Sequence, residues 1–536
     1  MIKQTRLYLI SKNNSHFMLQ NTQKESSKSI LIKHADIGAF FKERLQEIKL
    51  NCITIFSLDL NLIYNYFLEN ELLSKEFYIK PFLFKSKCYS ICLQHVVLKK
   101  KKIIFKDYYN FISSNKWATT LYDQGKYLYE LYEELLIQFN ININSKNILS
   151  LTSVSAKVFA FISTDKQKNI KKLNATEDTF IRKAYYGGRN EIYEPIGYNV
   201  FYYDVNSLYP YIMKNHNLPI GSPVFYDANY LKSINITTFY GFLDVLVEVP
   251  TDILPILPFR SSDKYNELGI IYPTGVFRGI YFSEELLFAI EKGCKILRIF
   301  GGYAFASDII FEDFVNRLYE LRTQTLSPFM KKSYKDIMNS LYGRFACIFE
   351  KEINIHDEFK QNMVCIKKIY NTVSISAAIT ALARIHMYKL QEQLKLKLIY
   401  WDTDGFFVKE ALVNHQVNTS LGALRLIHKI NKVVFIAQKM YIYHYNQEDY
   451  QYTLKGITIN NYLLNGPLLI DQIEKALLKI TNFNKFEYTI TFELKNKIIN
   501  NLEIKTFTIY NKRAINKTNS IINTRPWHIN QTPIGK

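Results

Sequence analysis

Two strand-like apolar runs that end in aspartate constrain the fold of this chain more than any other feature of its sequence. Residues 201–203 precede Asp204, and residues 398–401 precede Asp402 and Asp404. A carboxylate at the end of a buried strand is costly unless a cation neutralises it, and a pair of divalent metal ions does so. Phosphoryl-transfer enzymes hold two such ions about 4 Å apart. The alternative interpretation is that the second run ends in an ordinary hairpin turn.

A second pattern lies in residues 331–343, which favour a helix. Spacings of four, four and three residues put Lys331, Lys335, Asn339 and Tyr342 on one helical face. Two ammonium groups one turn apart suit a triphosphate, and an aromatic ring further along can stack on its base. The alternative is a solvated basic face with Tyr342 packed in the core.

The length and charge of the chain define its broad class. With 536 residues it is too long for one core, so two or more lobes with a cleft between them are expected. Hydrophobic residues make up 48% and charged residues 22%, the balance of a folded rather than a disordered protein. The net charge of +20 is spread along the chain, which favours nucleic acid as the partner over a membrane surface. A basic protein without such a partner is the alternative.

Cysteine use and segment hydrophobicity argue against several other classes. The six cysteines are scattered, so neither a disulfide framework nor a zinc site is predicted, and a reducing compartment is expected. No segment approaches the roughly 18 apolar residues of a membrane span. The first residues lack the pattern of a secretory signal or a transit peptide. A bias towards Lys, Asn and Ile fits A+T-rich coding, as in organelle genomes. If the protein works in an organelle, it is therefore expected to be made there.

Changes in residue pattern along the chain predict an α/β lobe over about the first 180 residues, followed by a region that mixes strands and helices. Pro328 is expected to separate two helices there. The predicted elements are a helix at 30–50, strands within 80–105, a helix at 120–140, strands at 241–249 and within 266–300, helices at 311–325, 329–347 and 373–395, and a strand hairpin around Asp402.

Taken together, these elements resemble the motifs of family B DNA polymerases, specifically the protein-primed branch found in linear mitochondrial plasmids and phages. Five motifs occur in the order of that family, and the resemblance covers about residues 180–460. They are Tyr185-Tyr186-Gly187-Gly188, motif A as Asp204-Val205-Asn206-Ser207-Leu208-Tyr209-Pro210, motif B from Lys335 through Asn339-Ser340-Leu341-Tyr342-Gly343, motif C as Tyr400-Trp401-Asp402-Thr403-Asp404-Gly405, and Lys439-Met440-Tyr441.

The resemblance implies a catalytic site that contains two metal ions. Asp204 and Asp404 would bind two Mg2+ ions, or Mn2+ in their place, together with the backbone carbonyl of Val205. Asp402 would be the third catalytic carboxylate and would support the other two.

The resemblance also implies how substrates bind. Lys331 and Lys335 would neutralise the triphosphate, while Asn339 and Tyr342 would line the nascent base pair. Tyr209 would lie under the sugar and clash with a 2′-hydroxyl, so that deoxynucleotides are selected. The implied DNA contacts are Tyr185, Gly187, Gly188, Ser207, Gly343, Lys439 and Tyr441, of which the last two would hold the primer terminus.

The implied fold is α/β and α+β with several domains: a degenerate RNase H-like exonuclease lobe, then a right-handed palm, fingers and thumb with family-specific insertions. The implied domains are the exonuclease-like lobe at 1–180, the first part of the palm at 181–221, an insertion like a terminal-protein region at 222–305, fingers at 306–345, a second insertion at 346–372, the second part of the palm at 373–460, and the thumb at 461–536.

The sequence departs from the family pattern in two places. Gly405 ends motif C where most relatives have serine, which would weaken activity at most. A proofreading exonuclease needs several carboxylates, but the first fifty residues contain no Asp-x-Glu pair. Asp59 is a candidate for the second exonuclease motif, and Tyr122 would put Lys126 where the third motif has aspartate. A cation there repels a metal ion, so the lobe is predicted to have lost its chemistry.

The function implied by the resemblance is that of a DNA-directed DNA polymerase. It would add deoxynucleotides to a 3′ end, or to a protein hydroxyl, and replicate a linear plasmid-like element. Its partners would be template and primer DNA, dNTPs and a terminal protein, with no membrane, in the mitochondrial matrix or alternatively a plastid. The competing hypotheses are a catalytically inactive DNA-binding remnant and an enzyme that uses an RNA template or ribonucleotides.

Overall fold

The computed structural model describes most of the chain, with gaps. The described residues are 7–12, 16–21, 30–33, 52–69, 77–84, 87–96, 102–112, 121–145, 147–233, 235–260, 269–356, 362–369, 371–413, 417–446, 449–455, 457, 462–478, 485–494, 502–510, 512–518 and 521–530.

The described elements are numbered here in chain order. The strands are β1 Leu7–Lys12, β2 His16–Asn21, β3 Ile30–Lys33, β4 Cys52–Ser57, β5 Phe77–Phe84, β6 Lys87–His95, β7 Lys102–Asp107, β8 Asn190–Ile192, β9 Ile196–Val205, β10 Leu218–Asp227, β11 Gly241–Val249, β12 Phe259–Arg260, β13 Ile270–Ile271, β14 Thr274–Phe282, β15 Lys295–Asp308, β16 Phe349–His356, β17 Asn362–Ile369, β18 Leu398–Asp402, β19 Gly405–Val408, β20 Leu424–Ala437, β21 Met440–His444, β22 Tyr450–Leu454, β23 Tyr462–Leu463, β24 Lys485–Leu494, β25 Leu502–Tyr510, β26 Ala514–Thr518, β27 Ile521–Arg525 and β28 His528–Asn530. The α-helices are α1 Leu60–Glu69, α2 Leu121–Phe139, α3 Leu151–Ile162, α4 Thr164–Lys168, α5 Ala175–Arg182, α6 Leu208–Asn215, α7 Ala228–Ser233, α8 Ser283–Glu291, α9 Glu312–Gln324, α10 Pro328–Phe345, α11 Val373–Gln393 and α12 Gly466–Leu478.

The chain forms two compact units, and each contains two separate stretches of sequence. The first unit joins residues 1–168 with 311–344, and the second joins 169–310 with 345–536. The mixture of helices with several sheets confirms the expected α/β and α+β fold class.

The first unit is built on a seven-stranded mixed sheet. Its strand order is β3-β2-β1-β4-β7-β6-β5, in which β1 is parallel to β4 and β4 is parallel to β7. The outer strands on both sides pair antiparallel. Helix α2 confirms the helix predicted at 120–140, and Leu128, Leu131 and Leu135 form its buried face at the expected helical spacing.

One helix prediction for this unit needs correction, and the prediction about Pro328 is confirmed. The helix predicted at 30–50 is wrong at its start, because Ile30–Lys33 is strand β3, paired with β2. Residues 34–50 lie outside the described part of the chain. Pro328 is the first residue of α10, a position where its missing N–H costs nothing, so it separates the two predicted helices as expected.

The second unit has a seven-stranded sheet of order β22-β21-β20-β9-β19-β18-β8. Its core is aromatic and includes Tyr400, Phe407, Phe435 and Tyr441. Helix α11 confirms the helix predicted at 373–395 and is buried on nearly all sides for most of its length, where small residues allow α5, α6 and α8 to pack closely.

Smaller sheets make up the rest of the second unit. A five-stranded sheet of order β10-β15-β11-β14-β28 occupies most of the region predicted as the first insertion, and β16 and β17 form a hairpin within the region predicted as the second. Among the residues described, no helix is long and apolar enough to cross a lipid bilayer.

Candidate active site

Three adjacent strands of the second unit bring the motif A and motif C aspartates together. Asp204 is near the end of β9, and its register partner on β19 is Gly405, the residue after Asp404. Strands β18 and β19 form a tight hairpin in which Thr403 has a left-handed φ of 61°. The Val205 N–H donates to the carbonyl of Asp404 over 2.8 Å. The hairpin turn and the carboxylate site, considered above as alternatives, are therefore the same feature.

The two carboxylates at this strand end repel each other. Burial, followed by the nearby negative charge of Asp204, raises the pKa of Asp404 to about 6. Asp402 adds a smaller repulsion, which the ammonium group of Lys439 opposes. Such an arrangement of negative charge favours a bound cation.

Asp402 is in a different environment from Asp404. Its carboxylate is buried and accepts hydrogen bonds from the Lys439 ammonium at 2.6 Å and from the Asn190 amide at 2.8 Å, both on Oδ1. The Tyr441 hydroxyl lies 3.4 Å from Oδ2. Asp402 is thus already neutralised and hydrogen-bonded, as expected of a supporting carboxylate.

The protein ligands available here fit a divalent ion that takes its remaining ligands from water and substrate phosphates. No group of three or more His, Cys, Asp and Glu side chains that could hold a metal occurs within the described ranges. Mg2+ in phosphoryl-transfer sites characteristically takes one or two protein carboxylates and fills its other positions with water and substrate phosphates. Asp204 and Asp404, with Val205 next on the same strand, match that pattern.

Arg425 is a site residue that the sequence analysis missed. It lies on β20 as the register partner of Asp204, and its Nη2 donates to Asp204 Oδ2 over 3.1 Å. Its Nε is buried without a hydrogen-bond partner in the described part of the structure. Only the register of β20 against β9 brings this cation to the aspartate, and no local pattern indicates it.

The Tyr-Gly-Gly element contacts the motif C hairpin directly. A Cβ on Gly188 would lie 2.6 Å from the side chain of Thr403, so only glycine fits there. The Thr403 N–H donates to the carbonyl of Arg189 over 2.8 Å. Buried Arg384 donates to the carbonyls of Tyr186 and Gly187. The element is therefore held against the strand turn that carries the carboxylates.

Motif A continues from β9 into helix α6. Ser207 has a left-handed φ of 51° at the start of the helix, and Tyr209 is half-buried in the first turn. Both residues therefore follow Asp204 within one short turn of chain.

The motif B residues lie on helix α10 of the first unit. Lys331 is exposed, and Lys335, Asn339 and Tyr342 are half-buried, so the predicted shared face is the accessible one. The opposite face is in the core, where Tyr334, Ile337, Met338 and Leu341 are buried. Gly343 is also half-buried. Tyr342 is not a core residue, which removes the alternative interpretation for that position.

The candidate exonuclease residues are far less organised. Asp59 is exposed just after β4, and its N–H contacts the Ser57 hydroxyl. Lys126 is exposed on α2. Nothing is described of the Tyr122 side chain, nor of side chains in the first fifty residues.

Comparisons with known proteins identify the family of the chain. The sequence profile of the family described as DNA polymerase type B, organellar and viral, matches residues 124–391, half of the chain. A "Probable DNA polymerase" of Neurospora intermedia is 28% identical over 63% of this chain and 39% of its own length. A DNA polymerase of Bacillus phage Nf is 26% identical over 54% of each chain. The chain thus spans well under two thirds of the length of these relatives.

Solved structures support the fold. The DNA polymerase of phage phi29, in a ternary complex with primer-template DNA and incoming nucleotides, matches with a TM-score of 0.67 at 17% identity. The match covers 94% of this chain and 99% of that one. A binary complex of the same protein with primer-template DNA matches with a TM-score of 0.65.

Proposed function

Because this chain belongs to the organellar and viral type B DNA polymerases, we propose that it extends DNA by template-directed, metal-dependent nucleotidyl transfer. The observation that carries the proposal is the pairing of Asp204 and Asp404 at one strand end, with Asp402 neutralised beside them. A merely DNA-binding remnant would have no need to keep two repelling carboxylates there.

In this proposal the protein supplies charge and position. Asp204 and Asp404 hold two Mg2+ or Mn2+ ions, with the Val205 carbonyl as a further ligand. When bound, these ions would stabilise the charge that develops during phosphoryl transfer. The half-buried environment of the two carboxylates keeps competing water away and strengthens their interaction with cations.

Other residues take roles that follow from the motifs. Lys331 and Lys335 neutralise the triphosphate, and Asn339 and Tyr342 line the base pair. Tyr209 excludes the 2′-hydroxyl. The proposed DNA contacts, which include Tyr441 near the primer terminus, follow from the same motifs. The arrangement of palm, fingers, thumb and insertions described above is part of the same proposal.

The wider context is also a proposal. The phi29 polymerase in the matched complex is bound to primer-template DNA and nucleotides, which supports the same substrates here. Use of a terminal protein as primer, replication of a linear plasmid-like element, and a mitochondrial setting are supported by the family resemblance and by the A+T-rich composition.

A primer-extension assay with Asp204→Asn and Asp404→Asn tests the proposal. Each variant should lose extension by at least about 100-fold, because a group that stabilises transition-state charge is removed. Affinity for primer-template DNA should remain. Asp252→Asn is the matched control, since Asp252 is an exposed aspartate of the same unit. Robust extension by the Asp404→Asn protein would contradict the two-carboxylate site, and wild-type protein that binds DNA without extending it would favour the remnant.

A further inference from the structure

A closed ring of hydrogen bonds lies behind the candidate catalytic carboxylates. The Lys439 N–H donates to the Tyr400 hydroxyl at 3.0 Å, and that hydroxyl donates to Asn190 Oδ1 at 2.7 Å. The amide of Asn190 donates to Asp402 Oδ1 at 2.8 Å, and the Lys439 ammonium donates to the same oxygen at 2.6 Å. The ring therefore begins at the backbone of Lys439 and ends at its side chain.

Each member of the ring is held in place by the fold. Asn190 on β8 and Asp402 on β18 are cross-strand register partners, so the amide faces the carboxylate directly. Asn190, Tyr400 and Asp402 are all buried. Lys439 has a left-handed φ of 59°, and its carbonyl accepts from the Lys455 N–H at 3.1 Å. A lysine in that conformation needs such anchoring, because the left-handed region is unfavourable for a residue with a Cβ.

Asn190 is the only ring member outside the five motifs. Its amide uses both ends at once, as an acceptor from Tyr400 and as a donor to Asp402. No other natural side chain of that size carries the acceptor and the donor on two separate atoms. We propose that Asn190 is a positioning residue that orients Asp402, so that Asp402 holds the Lys439 ammonium beside the catalytic carboxylates. The proposal rests on the proposed polymerase function.

The consequence concerns Asp402 and Lys439. Oδ1 of Asp402 is shared by an ammonium group and an amide, so its charge serves Lys439 rather than a metal ion. Lys439 is therefore an ordered positive charge near Asp404 and not a freely moving DNA contact. Loss of the Asn190 amide would release both groups.

Two substitutions of similar size separate the hydrogen-bonding role of Asn190 from the space that its side chain fills. Asn190→Leu removes both hydrogen bonds, while Asn190→Asp keeps the acceptor for Tyr400 and sets a second carboxylate against Asp402. Single-nucleotide incorporation by rapid quench should show a burst rate about tenfold lower for Asn190→Leu, the factor expected from one hydrogen bond to a charged group. Asn190→Asp should be slower still. The KM for the nucleotide should change little in either variant. An Asp variant as fast as wild type would overturn the proposal.

A double variant tests whether the ring acts as a unit. With Lys439→Met and Asn190→Leu combined, the rate should fall no further than in the slower single variant, because both break the same ring. Effects that multiply would show that Asn190 acts elsewhere. A purely structural role would lower the burst amplitude, which counts folded enzyme, and leave the burst rate unchanged. Tyr388→Phe is the control, since it removes one partly buried hydrogen bond, to the Leu254 carbonyl, elsewhere in the unit.

A measurement without DNA keeps this inference separate from the proposed activity. Acetylation of Lys439, followed by mass spectrometry, should be severalfold faster in Asn190→Leu than in wild type and unchanged in Tyr388→Phe. Unchanged labelling in Asn190→Leu would refute the ring even in an active enzyme. Faster labelling in a protein that never extends primers would support the ring and refute the polymerase proposal.

Discussion

Gly405 has a steric reason to be glycine in this chain. A Cβ there would lie 2.8 Å from Cε2 of Tyr202 and 3.1 Å from the carbonyl of Tyr203. The Tyr202 ring cannot simply move, because it stacks on Phe407 with ring centroids 4.2 Å apart. The family serine is therefore excluded by a neighbouring ring, and the glycine need not reflect decay of the site.

Gly405→Ser is accordingly expected to lower both stability and primer extension. Overpacking of this kind typically costs about 1–3 kcal/mol. Thermal unfolding and extension rate should be measured for the single variant and again in a Tyr202→Ala background, where the ring is gone and serine should be tolerated. Faster extension by the single Ser variant would show instead that Gly405 is a weakened form of motif C.

In the proposed metal site, Arg425 would compete with a metal ion for Asp204. Its guanidinium is 3.1 Å from Asp204 Oδ2 and its side chain is 44% exposed. Arg425→Gln should therefore tighten Mn2+ binding, measured by electron paramagnetic resonance without DNA or nucleotide. The expected factor is about two to five, because exposed ion pairs contribute only about 0.2–1 kcal/mol.

The matched control for that measurement is Arg278→Gln. Arg278 pairs with Asp244 at 2.7 Å and its side chain is 46% exposed. The control variant therefore loses the same positive charge, but beside a carboxylate away from the candidate site. Weaker Mn2+ binding by the Arg425 variant would mean that the arginine orients Asp204 rather than competing for it.

At the scale of elements, strand β7 fixes the chain after α2 through one buried lysine. Lys106 is fully buried and its ammonium donates to the carbonyls of Ile143, Ser145 and Ile148 at 2.6–2.7 Å. Lys106→Met would leave these carbonyls without that donor, and we expect a loss of about 3 kcal/mol in the free energy of unfolding. Urea denaturation tests the loss, and hydrogen exchange should show lower protection at 141–148.

Lys80→Met is the control for the Lys106 experiment. Lys80 is exposed on β5 of the same sheet, and its ammonium contacts the Gln94 side chain at 3.2 Å. Its loss should change stability by less than about 0.5 kcal/mol. Equal effects at both positions would show that the carbonyl contacts of Lys106 contribute little.

The elements that the sequence predicts are those with a local signal. Helix α2 follows from apolar spacing, and the hairpin around Asp402 follows from turn residues after an apolar run. Asn190 and Arg425 were missed because their positions depend on strand register across about 200 residues of chain. The wrong start of the helix predicted at 30–50 has a related cause, since a short apolar run does not distinguish a strand from a helix.

At the scale of the whole chain, distant segments meet through buried ion pairs that no local pattern reveals. Arg189 and Arg513 both pair with the buried carboxylate of Glu191, and Arg384 pairs with Glu285. Burial of such charges is strongly unfavourable without an opposite charge beside them. The pair of Arg513 with Glu191 ties residue 513 to strand β8, which pairs with the motif C strand β18. The net charge of +20, by contrast, favours nucleic acid as the partner without predicting any of these positions.

At the scale of the whole molecule, we predict that the chain does not proofread. The first lobe is where the sequence departs furthest from the family pattern. Strand β1 contains no carboxylate, and Asp59 is exposed after β4. Lys126 is exposed on α2, and the family resemblance would put it where the third exonuclease motif has aspartate. One carboxylate cannot hold two divalent ions in water. We therefore expect no Mg2+-dependent 3′–5′ degradation when the protein is incubated with labelled single-stranded DNA and no nucleotides.

The same preparation must first bind primer-template DNA, so that a folded protein is being tested. Asp59→Ala should then behave like the wild type. Degradation by the wild type that disappears in Asp59→Ala would mean that Asp59 has acidic partners elsewhere in the first unit and that this lobe still proofreads. Degradation that persists in Asp59→Ala would point to a contaminating nuclease. The assay would then be repeated with protein purified further by DNA-affinity chromatography, and the degradation should disappear.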